Sequence, residues 1–315
     1  MTVAKSVVRK FKHLTSEEAM FPLYGSLQTF SQQQQYNPLE QRTCLCLLAT
    51  PMSMPTLWKT IEKILQDEDN FGMFDAIHLT LTDQAIRFYP EQVYDPQTST
   101  LISPTDSRQR LIMHRLWHHG ALTQYMGPVS LEQHLDTILV FLNLENALDQ
   151  ASQIRQLTQA SQSLDDKHNR AMWCFEGENF RWVDNKRNSK GDPLLSTKPV
   201  YMPPDQTWCE VDLCRGSPLL LRRRHFGNEF LWNHTSYACP DKEQYRWLSY
   251  QVERQGYPRK AVRDSTLPPG HITPARGFRP TCTQKWWNAH PEAYRNFREA
   301  EQQFPSIATS ATKVV

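Results

Sequence analysis

Glycine is scarce in this sequence, and the loop motifs that depend on it are missing. The 315 residues include 11 glycines, and none of the patterns G-x-x-x-x-G-K-[ST], G-x-G-x-x-G and G-x-S-x-G occurs. The first two need glycine where the backbone approaches a phosphate, and the third exposes a serine nucleophile on a tight turn. These absences disfavour nucleotide hydrolysis by a P-loop and the chemistry of α/β-hydrolases.

Long apolar runs are missing as well. The longest, Cys44–Ala49, has six residues, and Ile138–Leu142 has five, whereas a membrane helix needs about 20. The first residues, MTVAKSVVRKFKHL, lack the apolar centre of a signal peptide and place apolar residues on one helical face with basic residues elsewhere. We therefore expect a cytoplasmic or otherwise intracellular protein without a membrane partner. Its N-terminus is expected to pack on the domain as a basic helix or to touch a polyanion.

Cysteine spacing predicts neither disulfides nor a zinc site. The seven cysteines are odd in number and dispersed, at positions 44, 46, 174, 209, 214, 239 and 282. Zinc sites usually use short pairs such as C-x2-C, and Cys209 and Cys214 would point to opposite faces of a strand because they are five residues apart. We expect buried, reduced thiols.

Histidines do not complete a metal site in the sequence either. His114 and His118 are four residues apart in a predicted helix, which would place them on one face. The residues between them, Arg-Leu-Trp, include no catalytic glutamate, and no third ligand lies nearby. Because no spacing singles out a nucleophile and its base, we predict no catalytic residue, no metal and no cofactor.

Charge is unevenly distributed along the chain. Residues 1–150 hold 11 Lys and Arg against 16 Asp and Glu, and residues 151–315 hold 24 against 17, so net charges of −5 and +7 follow. Within the second half, residues 208–298 alone carry 15 against 8. Such asymmetry indicates an anionic partner, nucleic acid above all, or else a solvated basic face beside an acidic domain.

Hydrophobic periodicity predicts an α+β fold for the first domain, residues 1–164. A buried strand, an amphipathic helix, a hairpin and a second helix are expected at 42–50, 56–66, 74–81 with 85–94, and 107–119. One more strand would complete a ferredoxin-like βαββαβ unit. Residues 137–144 would supply it, but their spacing also fits a helix, which the capping pattern Ser130-x-x-Gln133 slightly favours. Residues 145–164 are predicted to be helical.

The second domain is predicted to span residues 165–315, a basic α+β unit rich in Trp and Arg with irregular loops. Its elements are strands, a hairpin, two helices and a proline-rich irregular segment, at 171–175, 180–184, 208–225, 241–255, 284–303 and 257–280. In the hairpin, a three-residue loop places Arg222 opposite Glu210 and Arg224 beside Trp208. That register leaves Arg224 and His225 for a polyanion.

Basic and aromatic residues cluster after the hairpin. Arginine can fork onto phosphates from irregular backbone, and Trp can stack on unpaired bases; in the alternative interpretation the Trp residues anchor the core with arginines stacked over them. The predicted nucleic-acid-binding residues are Arg224, His225, Arg259, Lys260, Arg263, Arg276, Arg279, Lys285 and Trp286.

These patterns favour a non-catalytic, nucleic-acid-associated subunit or accessory protein of a nucleoprotein assembly, with further protein partners. The sequence does not separate DNA from RNA. The alternatives are a protein–protein or structural assembly component of a virus or mobile element, and an enzyme of unrecognised type.

Overall fold

The computed structural model describes the central part of the chain in segments. These are residues 27–31, 41–95, 97, 102, 110–116, 133–163, 170–175, 180–182, 197–199, 202, 205–212, 214, 217–225, 249, 252–253 and 255–266. The helix predicted at 284–303 lies outside them. Of the helix predicted at 241–255, residues 249, 252, 253 and 255 are described; the first three are helical, and residue 255 lies in a turn.

One mixed sheet of nine strands organises the described residues. Its strands are β1 (Leu27–Ser31), β2 (Thr43–Ala49), β3 (Ala76–Thr82), β4 (Leu111–Leu116), β5 (Ile138–Asn143), β6 (Met172–Phe175), β9 (Trp208–Glu210), β10 (Leu219–Arg222) and β11 (Arg259–Val262), in the order β1-β4-β3-β2-β5-β10-β6-β11-β9. A separate two-stranded sheet pairs β7 (Phe180–Trp182) with β8 (Thr197–Pro199). The α+β class predicted from the sequence agrees with this mixture of sheet and helices.

Four neighbouring strands at the centre, β4-β3-β2-β5, are parallel to one another. Every residue of β2, β3 and β5 is buried. A parallel strand covered on both faces becomes a nearly continuous apolar run rather than an alternating one. This explains why TCLCLLA and ILVFLN contain no charged side chains.

Helices cover one face of this sheet. They are α1 (Leu57–Gln66), α2 (Glu68–Phe71), α3 (Asp83–Phe88) and α4 (Ala151–Ser163). In α1 the apolar residues recur every three or four positions, and Leu57, Ile61 and Ile64 are buried in the same core as Leu45 and Leu47 of β2. Alternate residues of the strands therefore point to the opposite face, which is also buried.

Several predicted elements are confirmed, and others are wrong. The strands at 42–50, 74–81, 171–175 and 180–184 and the helix at 56–66 are present within a few residues of their predicted bounds. The helix predicted at 145–164 is present as α4, which begins at Ala151 after a 3-10 turn at Leu144–Asn146. Residues 83–88 form α3 instead of a strand, because Thr82 caps the helix by accepting the N–H of Ala85. The helix predicted at 107–119 is wrong, since residues 111–116 form β4 between β1 and β3.

The undecided segment at 137–144 is a strand. β5 pairs with β2 on one side and with β10 on the other, and these two ladders outweigh the helical spacing of its leucines. A ferredoxin-like unit needs an antiparallel hairpin after its first helix. The parallel arrangement of β2, β3 and β4 therefore differs from that prediction.

The predicted hairpin at 208–225 is also wrong. β9 pairs with β11, and β10 lies between β5 and β6. Glu210 consequently faces Lys260 and not Arg222, and Trp208 faces Val262 and not Arg224. The segment predicted to be irregular, 257–280, includes β11, so Arg259 and Lys260 lie in a strand.

The sheet continues across the predicted domain boundary at 164, because β10 pairs with β5. The two-domain division stays a prediction about folding units. Among the helices that the structure describes, none is long and apolar enough to cross a membrane.

Candidate functional site

Four arginines lie at the edge of the sheet where β5 and β6 begin. β10 runs antiparallel to β5, so Arg222 at its end stands opposite Ile138 at the start of β5. Arg223, Arg224 and His225 then form one turn of 3-10 helix. Arg170 comes just before β6. We call Arg170, Arg222, Arg223 and Arg224 the amino-end arginine cluster.

Asp136 and its neighbours hold this cluster in place. The Nη1 group of Arg222 donates to the Asp136 carbonyl at 2.6 Å, and Arg224 forms an ion pair with the Asp136 carboxylate. The backbone N–H groups of Arg223 and Arg224 donate to the carbonyls of Thr137 and Leu135, at 3.2 and 2.9 Å. Asp136, which the sequence analysis did not consider, is therefore a partner of the arginine run, and the side chain of Tyr257 is a second hydrogen-bond partner of Arg224.

His225 is buried beneath the cluster. Its Nδ1 accepts the backbone N–H of Arg222 at 3.1 Å, so its Nε2 carries the proton and donates to the carbonyl of Arg170 at 2.8 Å. Burial lowers the pKa of His225 to about 4, and the charges of Arg222 and Arg224 act in the same direction. The ring is thus neutral, and it connects the end of β10 to the residue before β6.

The arginines of the cluster are close enough for the charge of one to shift the pKa of another. Burial lowers the pKa of Arg222 to about 10, with Asp136 acting against it and the charges of Arg224 and Arg170 acting with it. Burial would raise the pKa of Asp136, but the hydrogen bond and charge of Arg224 lower it. Arg170 and Asp136 are exposed, and Arg223 and Arg224 are half-buried. The edge therefore presents grouped positive charge to solvent.

Two further residues that were predicted to bind nucleic acid, Arg259 and Arg263, are held by internal partners. Arg259 is buried, with its Nη2 3.5 Å from a carboxylate oxygen of Asp212 and 3.6 Å from one of Glu253. The Nη2 group of Arg263 donates to the Met202 carbonyl at 3.1 Å. Both side chains thus connect β11 and the residue after it to neighbouring segments.

Lys260 lies between two tryptophans inside the protein. It is fully buried, and its Nζ is 3.5 Å from the ring centroid of Trp208 and 5.4 Å from that of Trp173. The two rings meet edge to face, with centroids 6.4 Å apart. The sequence analysis did not predict this placement of Lys260 between Trp173 and Trp208. Four predicted contact residues lie outside the described residues: Arg276, Arg279, Lys285 and Trp286.

Sequence reasoning missed the opposite edge of the sheet, where β2 and β5 end side by side. The chain leaves β2 towards β3 on one side and leaves β5, through α4, towards β6 on the other. Open α/β sheets bind ligands at such a topological switch point, beyond the carboxyl ends of the strands. Polar residues directly after the buried runs, Thr50 and Asn143-Leu-Glu145, are the signal that sequence analysis could have used.

Four buried oxygen atoms at this edge have no hydrogen-bond partner within the described residues. They are Thr50 Oγ1, Glu145 Oε2, Gln150 Oε1 and Ser217 Oγ, and we call them the carboxyl-end oxygens. Thr50 follows β2, Glu145 and Gln150 follow β5, and Ser217 precedes β10, which runs antiparallel to β5.

The neighbouring polar atoms position two of these side chains. Asn143 Nδ2 donates to Glu145 Oε1 at 3.0 Å, and Gln150 Nε2 donates to the Ser217 carbonyl at 2.8 Å. Burial raises the pKa of Glu145, although its hydrogen bonds oppose the shift.

His114, predicted in a helix with His118, lies in β4 and contacts His78 of β3 instead. His78 Nδ1 and His114 Nε2 are 2.9 Å apart, and both rings are buried on the face away from α1 and α4. Burial lowers the pKa of both residues, that of His78 to about 4. In the described segments, no group of three or more His, Cys, Asp or Glu residues is arranged to hold a metal ion.

The fold and these sites define a protein with a mixed, helix-covered sheet whose two edges differ in chemistry. No model of a known protein family matches the chain, and no curated protein matches its sequence.

Proposed function

We propose that the protein binds the phosphate backbone of nucleic acid through the amino-end arginine cluster, as a non-catalytic subunit or accessory protein of a nucleoprotein assembly. The observation that supports this is the grouping of Arg170, Arg222, Arg223 and Arg224 at one sheet edge beside Asp136. Grouped cations repel one another, and a phosphate that enters between them relieves the repulsion.

The backbone bonds of the cluster support the proposal further. Arg223 and Arg224 are tied to β5 through their own N–H groups, so their side chains start from fixed positions. An arginine has five N–H donors in a planar fork. Arg224 can therefore hold Asp136 and still donate to a phosphate oxygen, while the exposed Arg170 has its side chain available to solvent.

The remaining predicted residues divide into two groups in this proposal. Arg276, Arg279 and Lys285 would add phosphate contacts, and Trp286 would stack on an unpaired base. Arg259, Lys260, Arg263 and His225 would act indirectly, because their described contacts are internal. The alternatives of a structural assembly component and of an enzyme of unrecognised type stay predictions.

A salt titration tests the proposal. We expect the full chain to bind single- or double-stranded DNA or RNA of mixed sequence, with log K falling linearly against log salt concentration, because phosphate contacts release counterions. Fluorescence anisotropy with four labelled oligonucleotides, one of each kind, provides the measurement. Binding to none of them at 50 mM salt, or affinity that does not change with salt, would contradict the proposal.

A further inference from the structure

The carboxyl-end oxygens are unusual because they concentrate at one edge. A buried oxygen that lacks a hydrogen bond costs about 1–3 kcal/mol, and native proteins hold few of them. Thr50, Gln150 and Ser217 are 1%, 6% and 7% exposed, and the Oε2 atom of Glu145 at the same edge is buried as well. A bound molecule that hydrogen-bonds to these atoms explains their concentration.

Their position agrees with a ligand site. β2 and β5 are adjacent and parallel, with Leu48 opposite Asn143, so Thr50 and Glu145 follow neighbouring strand ends. Beside them, Met52 and Asp149 are exposed, which places this edge at the boundary of the protein. The strand connections diverge here, as they do at the binding crevices of open α/β sheets.

The chemistry of the atoms narrows the class of ligand. A carboxylate oxygen and an amide oxygen accept hydrogen bonds, and the two hydroxyls both donate and accept. Since Asn143 already occupies Glu145 Oε1, the ligand must donate to Oε2. We propose that this edge binds a molecule with neighbouring hydroxyl groups, either a free sugar or the ribose of a nucleoside.

A metal ion fits this edge less well. Hard cations take six or more oxygen ligands, usually with several carboxylates, whereas the carboxyl-end oxygens include one carboxylate oxygen. A vicinal diol, in contrast, donates one hydroxyl to Glu145 and exchanges hydrogen bonds with Thr50 through the other.

This site is separate from the one in the proposed function. Arg222 lies opposite Ile138 at the start of β5, and Glu145 follows the end of the same strand. Five strand steps of about 3.3 Å separate Ile138 from Asn143, so the two edges are roughly 17 Å apart. Failure of one proposal therefore leaves the other intact.

Ligand-observed NMR and calorimetry on the full chain test the inference. The probes are the four ribonucleosides with their 2′,3′-dideoxy counterparts, and D-glucose and D-galactose with their 2-deoxy counterparts. We expect at least one diol to bind with a dissociation constant of about 1 mM or less, and its deoxy counterpart to bind at least about tenfold more weakly, because it loses a hydrogen bond to a buried partner. Which arm binds distinguishes a nucleoside from a free sugar.

Matched variants locate the site. Thr50→Val and Glu145→Gln are expected to weaken binding of that diol by about tenfold or more. Thr80→Val is the control, since Thr80 Oγ1 is also buried without a hydrogen bond in the described residues but lies within β3. If no diol binds, if the deoxy probe binds equally well, or if both edge variants bind like the control, the inference is wrong. If a variant does not fold, the comparison of each diol with its deoxy counterpart on the unaltered protein still tests the inference.

Discussion

Lys260 shows how burial changes the role of a charged side chain in this protein. Lys260 is a basic residue in a basic segment, which favours a surface contact when the sequence alone is considered. In the structure it is fully buried against Trp208 and Trp173. An ammonium group over an indole face gains about 2 kcal/mol or more when both are desolvated, so the tryptophans stabilise a cation that is otherwise unfavourable in a core.

This arrangement predicts energetic coupling between Lys260 and Trp208. We expect Trp208→Leu to lower the free energy of unfolding more than Lys260→Met does, because it leaves a buried cation without its nearer aromatic partner. In the double variant, the two losses are expected to fall short of additivity by about 1–2 kcal/mol. Urea denaturation measures all three variants.

A second cycle provides the control. Trp58 lies in α1, and its Nε1 donates to the Gln92 carbonyl, whereas Lys260 lies over the rings of Trp173 and Trp208. Trp58→Leu combined with Lys260→Met should be additive within about 0.5 kcal/mol. Equal additivity in both cycles would refute the cation–π role.

Sequence analysis located the helices and strands whose pattern of apolar residues fits a single type of element. α1 has apolar residues at three- and four-residue spacing, and β2 is a short apolar run bounded by Pro51. β4 was missed because LIMHRL is short and its apolar residues also fit a helix. The strands β9 and β10 were found, but their partners were not, since β9 pairs with β11 about 50 residues further along the chain.

The candidate site was predictable to a similar extent. The arginine run at the end of β10 was found from the sequence, whereas Asp136, 86 residues before Arg222, was not. The carboxyl-end oxygens escaped notice because Thr50 and Glu145 become neighbours only when β2 and β5 lie parallel and adjacent. Long-range pairing of this kind leaves no local periodicity.

The pair of histidines that joins β3 to β4 predicts acid sensitivity. His78, His114 and His225 have pKa values lowered by burial, that of His78 to about 4, so the unfolded chain takes up protons first as the pH falls. Above about pH 6.5 these histidines should not make the free energy of unfolding depend on pH. Between there and pH 4 the free energy of unfolding should decrease as the pH falls, by about 1 kcal/mol per pH unit for each histidine.

Unfolding free energies from pH 7 to pH 4 test this expectation. His78→Gln should flatten the decrease, because one group that is neutral in the folded state and protonated in the unfolded state is removed. His134→Gln is the control, since His134 is exposed. A decrease that is equally steep in the His78 variant and in the control would show that the histidine pair does not cause it.

At the scale of the whole molecule, the two halves of the chain, which differ in net charge, supply strands on opposite sides of the sheet. The strands β1-β4-β3-β2-β5 come from the first 164 residues, and β10-β6-β11-β9 come from the remainder. The amino-end arginine cluster lies at the junction, where Arg222 of β10 meets Ile138 of β5. We propose that a polyanion binds at this junction.

Charge-matched double variants test most directly whether the amino-end arginine cluster binds a polyanion. Arg170→Gln with Arg223→Gln removes two positive charges from the cluster, and Lys59→Gln with Lys63→Gln removes two from exposed positions of α1. If the cluster binds phosphates, the first pair should weaken binding to the oligonucleotide that binds best and should reduce the slope of log K against log salt by about 2, or about 1 per contact. The second pair should leave the slope unchanged. Equal slopes for the two double variants would contradict the account.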